Sequence, residues 1–174
     1  MSDPEEQLEI VNEEGEIIGL APRSVIHGNP ALIHRVVHVL VFGTDGKLLL
    51  QKRSMNKDVA PGKWDTSVGG HVGAGEELSL SARREMEEEL GITGAELHFL
   101  YSYTHTNPYE TELVTTCRCL YSGEIAFNRE EVDEVRFWRL EEIREVMGRG
   151  ILSDNFEHEF RMYLSLHTPR TSGP

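Results

Sequence analysis

Between Glu77 and Leu90 the chain contains neither proline nor glycine, and Leu78, Ala82, Met86 and Leu90 recur at every fourth position. This pattern predicts a helix over 77–90 that buries one face. Gly91 stands where a left-handed terminating residue is wanted, and the glycines from Gly69 onward predict a turn ahead of the helix. At about 100° per residue, Glu85, Glu88 and Glu89 fall in one sector beside the apolar stripe, whereas Glu87 points away. Like charges at this spacing cost roughly 0.2–0.5 kcal/mol per pair when nothing offsets them. A hard divalent cation such as Mg²⁺, which prefers oxygen ligands, would offset them.

The stretch Gly70–Ile92 carries a resemblance. It is similar to the Nudix box, G-x5-E-x7-R-E-U-x-E-E-x-G-U with U aliphatic. Gly70, Glu76, Arg84, Glu85, Met86, Glu88, Glu89, Gly91 and Ile92 fill every specified position. The resemblance implies an α/β fold, an α/β/α sandwich with a mixed β-sheet. It also implies Mg²⁺- or Mn²⁺-dependent hydrolysis of a diphosphate linked to another moiety. Glu88 and Glu89 become the principal metal ligands, joined by the Gly70 carbonyl. Glu85 completes the shell or takes the proton of the attacking water, with Glu130, Glu131 and Asp133 as candidates for the base outside the box. Spacing lets Arg84 pair with Glu88 or with Glu76, and the resemblance favours Glu76.

The 174 residues predict one domain, and 39% hydrophobic with 27% charged residues fits a soluble globular protein. A formal net charge of −13 disfavours a nucleic-acid partner. Small anionic substrates stay compatible if metal ions and lysines screen the site. Lys52, Arg53, Lys57 and Lys63, just before the box, are the candidate phosphate contacts. No apolar run reaches the length of a membrane span, and the acidic MSDPEEQ start lacks a signal-peptide apolar region, so no membrane partner and a cytoplasmic location are expected. Cys117 and Cys119 read as reduced packing residues on one strand face. Oligomeric state is open, a homodimer included.

In chain order, residues 1–6 and the tail from 168 are expected to be disordered. Segments 8–11 and 16–20 form a hairpin about residues 12–15, and 23–29 is ambiguous, with a helical turn as one reading. Segments 34–42 and 47–53 form a second hairpin at Asp45-Gly46. Residues 54–62 form a loop, and 63–68 a short strand leading into the turn at Gly69-Gly70. Strands follow at 96–104, 112–121 and 134–140, then a helix over 141–147 and a last helix capped by Asp154, with Phe156, Phe160, Tyr163 and Leu164 on one face.

A second resemblance spans residues 27–138, which are similar to isopentenyl-diphosphate isomerase, itself of the Nudix fold. It implies a metal set of His27, His34, His71, Glu110 and Glu112, suited to Zn²⁺ or Mn²⁺. The isomerase's catalytic cysteine falls on Gly69, which puts allylic proton transfer in doubt. His38, His98, His105, His158 and His167 are assigned to structure. The leading reading is a hydrolase acting on a nucleoside di- or triphosphate or another diphosphate derivative. Its rivals are an isomerase-like enzyme and a non-catalytic binding module of the same fold.

Overall fold

The computed structural model describes residues 4–167. A hairpin of β1 (Gln7–Val11) and β2 (Ile17–Pro22) leads through the short helix α1 (Arg23–Ile26) into the long strand β3 (Ile33–Phe42). β4 (Leu48–Arg53), β5 (Trp64–Asp65) and β6 (Val68–His71) precede helix α2 (Leu78–Leu90). β7 (His98–Thr106), β8 (Thr111–Leu120) and β9 (Val132–Trp138) follow, then α3 (Leu140–Val146) and α4 (Asp154–His167). All nine strands join one sheet, in which β3 and β8 run parallel and the other paired strands antiparallel.

β3 is buried along most of its length because both its faces are covered. Val37, Val39 and Val41 pack with Ala82, Met86 and Leu90 of α2. Val36, Leu40 and Phe42 pack on the opposite side with Phe156, Phe160 and Tyr163 of α4. The architecture is thus a sandwich with α2 on one face of a mixed sheet and α3 and α4 on the other. At roughly 1.5–3 kcal/mol for each large side chain removed from water, these two cores hold the helices to the sheet. Gly91 ends α2 in the left-handed region, at φ 65°, where its N–H donates to Glu87 and the Ile92 N–H to Met86.

The expected second hairpin is present but short. β3 and β4 pair only where Phe42 meets Leu48, and then separate. β3 continues against β6 and β8, while β4 takes β5 and β9. Ser67 ties the two halves at the fork: its Oγ accepts the Val41 N–H at 2.9 Å and donates to the Leu49 carbonyl, and its own carbonyl accepts Gln51 Nε2 at 3.1 Å. Beyond this tie the sheet is split, and a cavity opens in the split.

Other expectations shift. Gly69 and Gly70 are not a turn but lie within β6, opposite His38 and Val37, and the chain turns later, at Ala74 and Gly75. Ser153, not Asp154, caps α4, its Oγ accepting the Phe156 N–H at 3.1 Å. Residues 1–3 and 168–174 lie outside the described residues, but the expected disorder does not extend to Glu5 and Glu6. Glu5 accepts the Ser24 N–H at 2.7 Å, and the Glu6 carbonyl accepts the Arg23 N–H at 2.9 Å. β7 runs on to Thr106 because the Asn107 side chain accepts the N–H groups of Tyr109 and Glu110 and closes the β7–β8 turn.

Candidate active site

The buried stripe of α2 turns its neighbouring sector toward β6. There the Glu85 carboxyl lies so close to Gly70 that a Cβ on residue 70 would overlap it. Glu89 reaches the fork of the sheet, where Gln51 Nε2 donates to it at 2.8 Å and the Gly69 N–H at 3.4 Å. Glu88 sits at the mouth, its side chain 60% exposed. Burial raises the Glu89 pKa to about 8, and burial likewise raises that of Glu85. These are carboxylates withdrawn from water without a full set of donors, which suits a divalent cation.

Arg84 holds the approach to this cluster. Its Nε and Nη2 donate to the two Glu76 oxygens at 3.1 Å each, Nη2 also to the His71 carbonyl at 3.2 Å, and Nη1 to Glu85 at 2.6 Å and Glu88 at 3.4 Å. Both partners of Arg84 that the spacing allowed are therefore engaged, Glu76 by two bonds and Glu88 by one. The Arg84 bond, followed by other donors, holds the Glu76 pKa at about 2.

A second group of ligating atoms gathers beside the first. The parallel register of β3 on β8 sets His34 opposite Glu112, and β6 brings His71 diagonally against His34. One ligating atom from each of His27, His34 and His71 falls within a 4.8 Å group, and the same holds for His34, Glu110 and Glu112. His27 Nε2 lies 3.3 Å from His71 Nε2 and 3.5 Å from Glu110. His34 Nε2 lies 3.9 Å from both Glu110 and Glu112. Both ring nitrogens of the fully buried His34 lack a hydrogen-bond partner among the described residues. Burial, then the neighbouring histidines, lower the pKa of His27 to about 4 and of His34 to about 3, so both rings are neutral. Burial, then Glu110, raise Glu112 to about 7. Orphaned imidazoles facing under-satisfied carboxylates fit a transition-metal ion.

Both groups open onto one cavity of about 860 Å³, lined in part by His27, His71, Glu85, Glu88, Glu89, Glu110 and Glu112. Arg53, Lys57 and Lys63 also line it, and Lys57 pairs with Glu131 across the cleft. Lys52 is corrected: it is absent from this wall, because on β4 it alternates away from Gln51 and Arg53, which are on the wall. Of the candidate bases outside the box, Glu131 lines the cavity, while Glu130 and Asp133 do not. Reading the sequence missed Arg23, Gln51 and Asn155, which reach the wall from distant elements and belong to no local motif.

A model of the NUDIX domain matches residues 32–156. The chain is 38% identical over 147 residues to the uncharacterized Nudix hydrolase YfcD of Escherichia coli, across 79% of this chain and 76% of that protein. It is 34% identical over 160 residues to Nudix hydrolase 3 of Arabidopsis thaliana, across 83% of this chain but 21% of that longer protein. The crystal structure of DR0079 from Deinococcus radiodurans superimposes with a TM-score of 0.78 at 25% identity, covering 90% of this chain and 98% of that one.

Proposed function

The chain belongs to the Nudix family, and from that premise we propose that it is a metal-dependent hydrolase of a small-molecule diphosphate, cleaved by attack of water on phosphorus. The observation that carries this reading is the convergence of Glu85, Glu88 and Glu89 with Arg53, Lys57 and Lys63 on one cavity of an otherwise acidic protein. Mg²⁺ or Mn²⁺, held by Glu88, Glu89 and the Gly70 carbonyl, would supply charge neutralisation on the phosphates and acidify water. The side chains have separate tasks. Arg53, Lys57 and Lys63 bind non-bridging oxygens and draw the anion past the acidic rim. Glu85, whose raised pKa suits it to proton transfer, takes the proton of the attacking water. Arg84 fixes Glu76, and with it the turn and Glu85, in place.

The His27, His34, His71, Glu110 and Glu112 set is read as a second site, for Zn²⁺ or Mn²⁺, supported by the two orphaned nitrogens of His34. All nine strands of the described residues share one sheet, which supports reading 4–167 as one domain.

The isomerase reading is disfavoured at Gly69. Glycine supplies no thiol there, and a Cβ at this position would lie in tight contact with the His38 ring, 3.1 Å from Cδ2 and 3.3 Å from Nε2. The deciding experiment is a panel of nucleotide and non-nucleotide diphosphates assayed with Mg²⁺ and Mn²⁺, products identified by ³¹P NMR. Turnover of none would remove the hydrolase reading and leave a binding module. Proton exchange into isopentenyl diphosphate would restore the isomerase.

A further inference from the structure

Gln51 lies on the cavity wall but has no task in the mechanism above. Its backbone is fixed in β4 between Asp65 of β5 and Val135 of β9, and its side chain reaches the fork of the sheet. There Nε2 commits both hydrogens, one to Glu89 at 2.8 Å and one to the Ser67 carbonyl at 3.1 Å. A carbonyl only accepts, and so does an ionised carboxylate, so a flipped amide would set Oε1 against two oxygens. The orientation is therefore determined. Oε1 accepts a hydrogen bond from no described residue, yet it is not one of the buried atoms left without a partner. For a side chain only 9% exposed on this wall, the opening it faces is the cavity.

Glu85 stands one helical turn before Glu89, and both face the same cavity. An attacking water carries two hydrogens, and Glu85 has a use for one. The other needs an acceptor that holds it without removing it. A neutral amide oxygen does this, whereas lysine and arginine only donate. Asn107, Asn128 and Asn155 also reach the wall, but their side-chain oxygens already accept from Tyr109 and Glu110, from Glu130, and from the Tyr103 hydroxyl.

We propose that Gln51 is a further catalytic residue, its Oε1 accepting one hydrogen of the water that attacks phosphorus while Glu85 takes the other. The inference deepens the hydrolase reading and rests on it. The water oxygen forms a bond to phosphorus, and the bond from phosphorus to the bridging oxygen breaks, its electron pair leaving with the departing group. One proton passes to Glu85. The second stays on the new phosphate oxygen, hydrogen-bonded to Gln51 Oε1. Holding both hydrogens aims the water's lone pair at phosphorus, and orientation of this kind is a large part of phosphoryl-transfer catalysis.

The test has two arms that fail separately. A crystal structure of the full-length protein should show an ordered water about 2.7–3.0 Å from Gln51 Oε1, missing in Gln51→Met. Kinetics then use whichever diphosphate of the panel is turned over, with Mg²⁺ saturating for each variant and methanol added as a competing nucleophile. Gln51→Met should lower kcat about tenfold or more while KM stays within about twofold. An alcohol lacks the second hydrogen that Oε1 holds, so Gln51→Met should also raise the share of methyl phosphate ester in ³¹P spectra about fivefold, the worth of one hydrogen bond. Gln51→Lys returns donors to Glu89 and the Ser67 carbonyl but has no acceptor. It should lose turnover and selectivity in the same way, which separates a lost acceptor from a lost fold. A glutamine that merely positions Glu89 would leave the methanol partition unmoved. No ordered water on Oε1, an unchanged partition in both variants, or a wild-type kcat in Gln51→Lys would overturn the role while leaving the hydrolase reading intact. Turnover of nothing in the panel would remove both.

Discussion

Arg84 grips Glu76 with two parallel hydrogen bonds of 3.1 Å, eight residues apart in sequence, and so clamps the turn before α2 onto the helix that follows it. The same guanidinium also donates to Glu85 and to the His71 carbonyl, linking the helix to β6. Arg84→Lys keeps the charge but not the fork. Because the Arg84 side chain is 36% exposed, the loss of stability should be small, on the order of 0.5–1 kcal/mol after screening. Turnover should fall about tenfold or more, because a small misplacement of Glu85 costs more in rate than in stability. Steady-state kinetics set against thermal melts checks this, and a kcat at the wild-type level would remove the clamp's role.

Glu89→Gln is expected to separate stability from activity. The folded pKa of Glu89, about 8, lies above its ordinary value of 4.5. Its contribution to the metal-free fold is therefore most favourable below pH 4.5 and is lost as pH rises through about 8. Glutamine removes that loss, so the metal-free variant should melt higher than wild type at pH 9 and match it more closely at pH 6. Its metal-assisted turnover should drop by about a hundredfold or more. Glu88→Gln, at an exposed position, should lose turnover without the stability gain. Near-full activity of either variant would dispose of the proposed ligand role.

Proton competition gives a second reading of the same carboxylate. At pH 6.5 a Glu89 with pKa about 8 must release a proton before it can take a cation. The apparent affinity for Mg²⁺ should therefore be about tenfold or more weaker at pH 6.5 than at pH 8.5, an estimate from simple proton linkage. Calorimetric titration at the two pH values, in buffers of different ionisation enthalpy, reads both the affinity and the proton released.

The histidine set is tested by metal content. Protein purified without added metal should carry Zn²⁺ or Mn²⁺, seen by elemental analysis, and His34→Leu or His27→Ala should lose it. In metal-free protein His34→Leu should be neutral or stabilising by about 1–2 kcal/mol, because it removes two buried nitrogens that lack partners. A metal-free wild type with both substitutions harmless would return these residues to packing.

The His38–Glu159 pair gives an alkaline limit of stability. The folded pKa of His38, about 9, exceeds its ordinary 6.5, so the pair's contribution is complete below pH 6.5 and fades as pH rises through about 9. Glu159→Gln should flatten that limb of the melting-temperature profile between pH 7 and 9.5. A wild-type profile without any decline in that window would contradict the raised pKa.

Features that depend on neighbours within a few turns of chain were legible beforehand. The α2 stripe, its stop at Gly91 and the shared sector of Glu85, Glu88 and Glu89 follow from the helical repeat, whereas spacing left Arg84 two partners and only the family resemblance favoured Glu76. The order of strands and helices was legible for the same reason, from runs of β-branched residues and the turn residues between them. The glycines of β6 were misread as a turn because what makes them a strand is β3, some thirty residues earlier in the chain.

What the sequence determined by itself was local: which segments are helix or strand, where they stop, and which carboxylates one helix presents together. Only the tertiary structure decided which distant side chains share a wall. The parallel β3–β8 register faces His34 with Glu112, the fork beyond Phe42 and Leu48 opens the cavity, and α4 carries Glu159 to His38 across 121 residues of chain. The physical reason is that periodicity and capping are short-range properties of the backbone. Sheet register and the covering of both its faces are set by burying apolar surface from the whole chain at once, and no local window contains that sum.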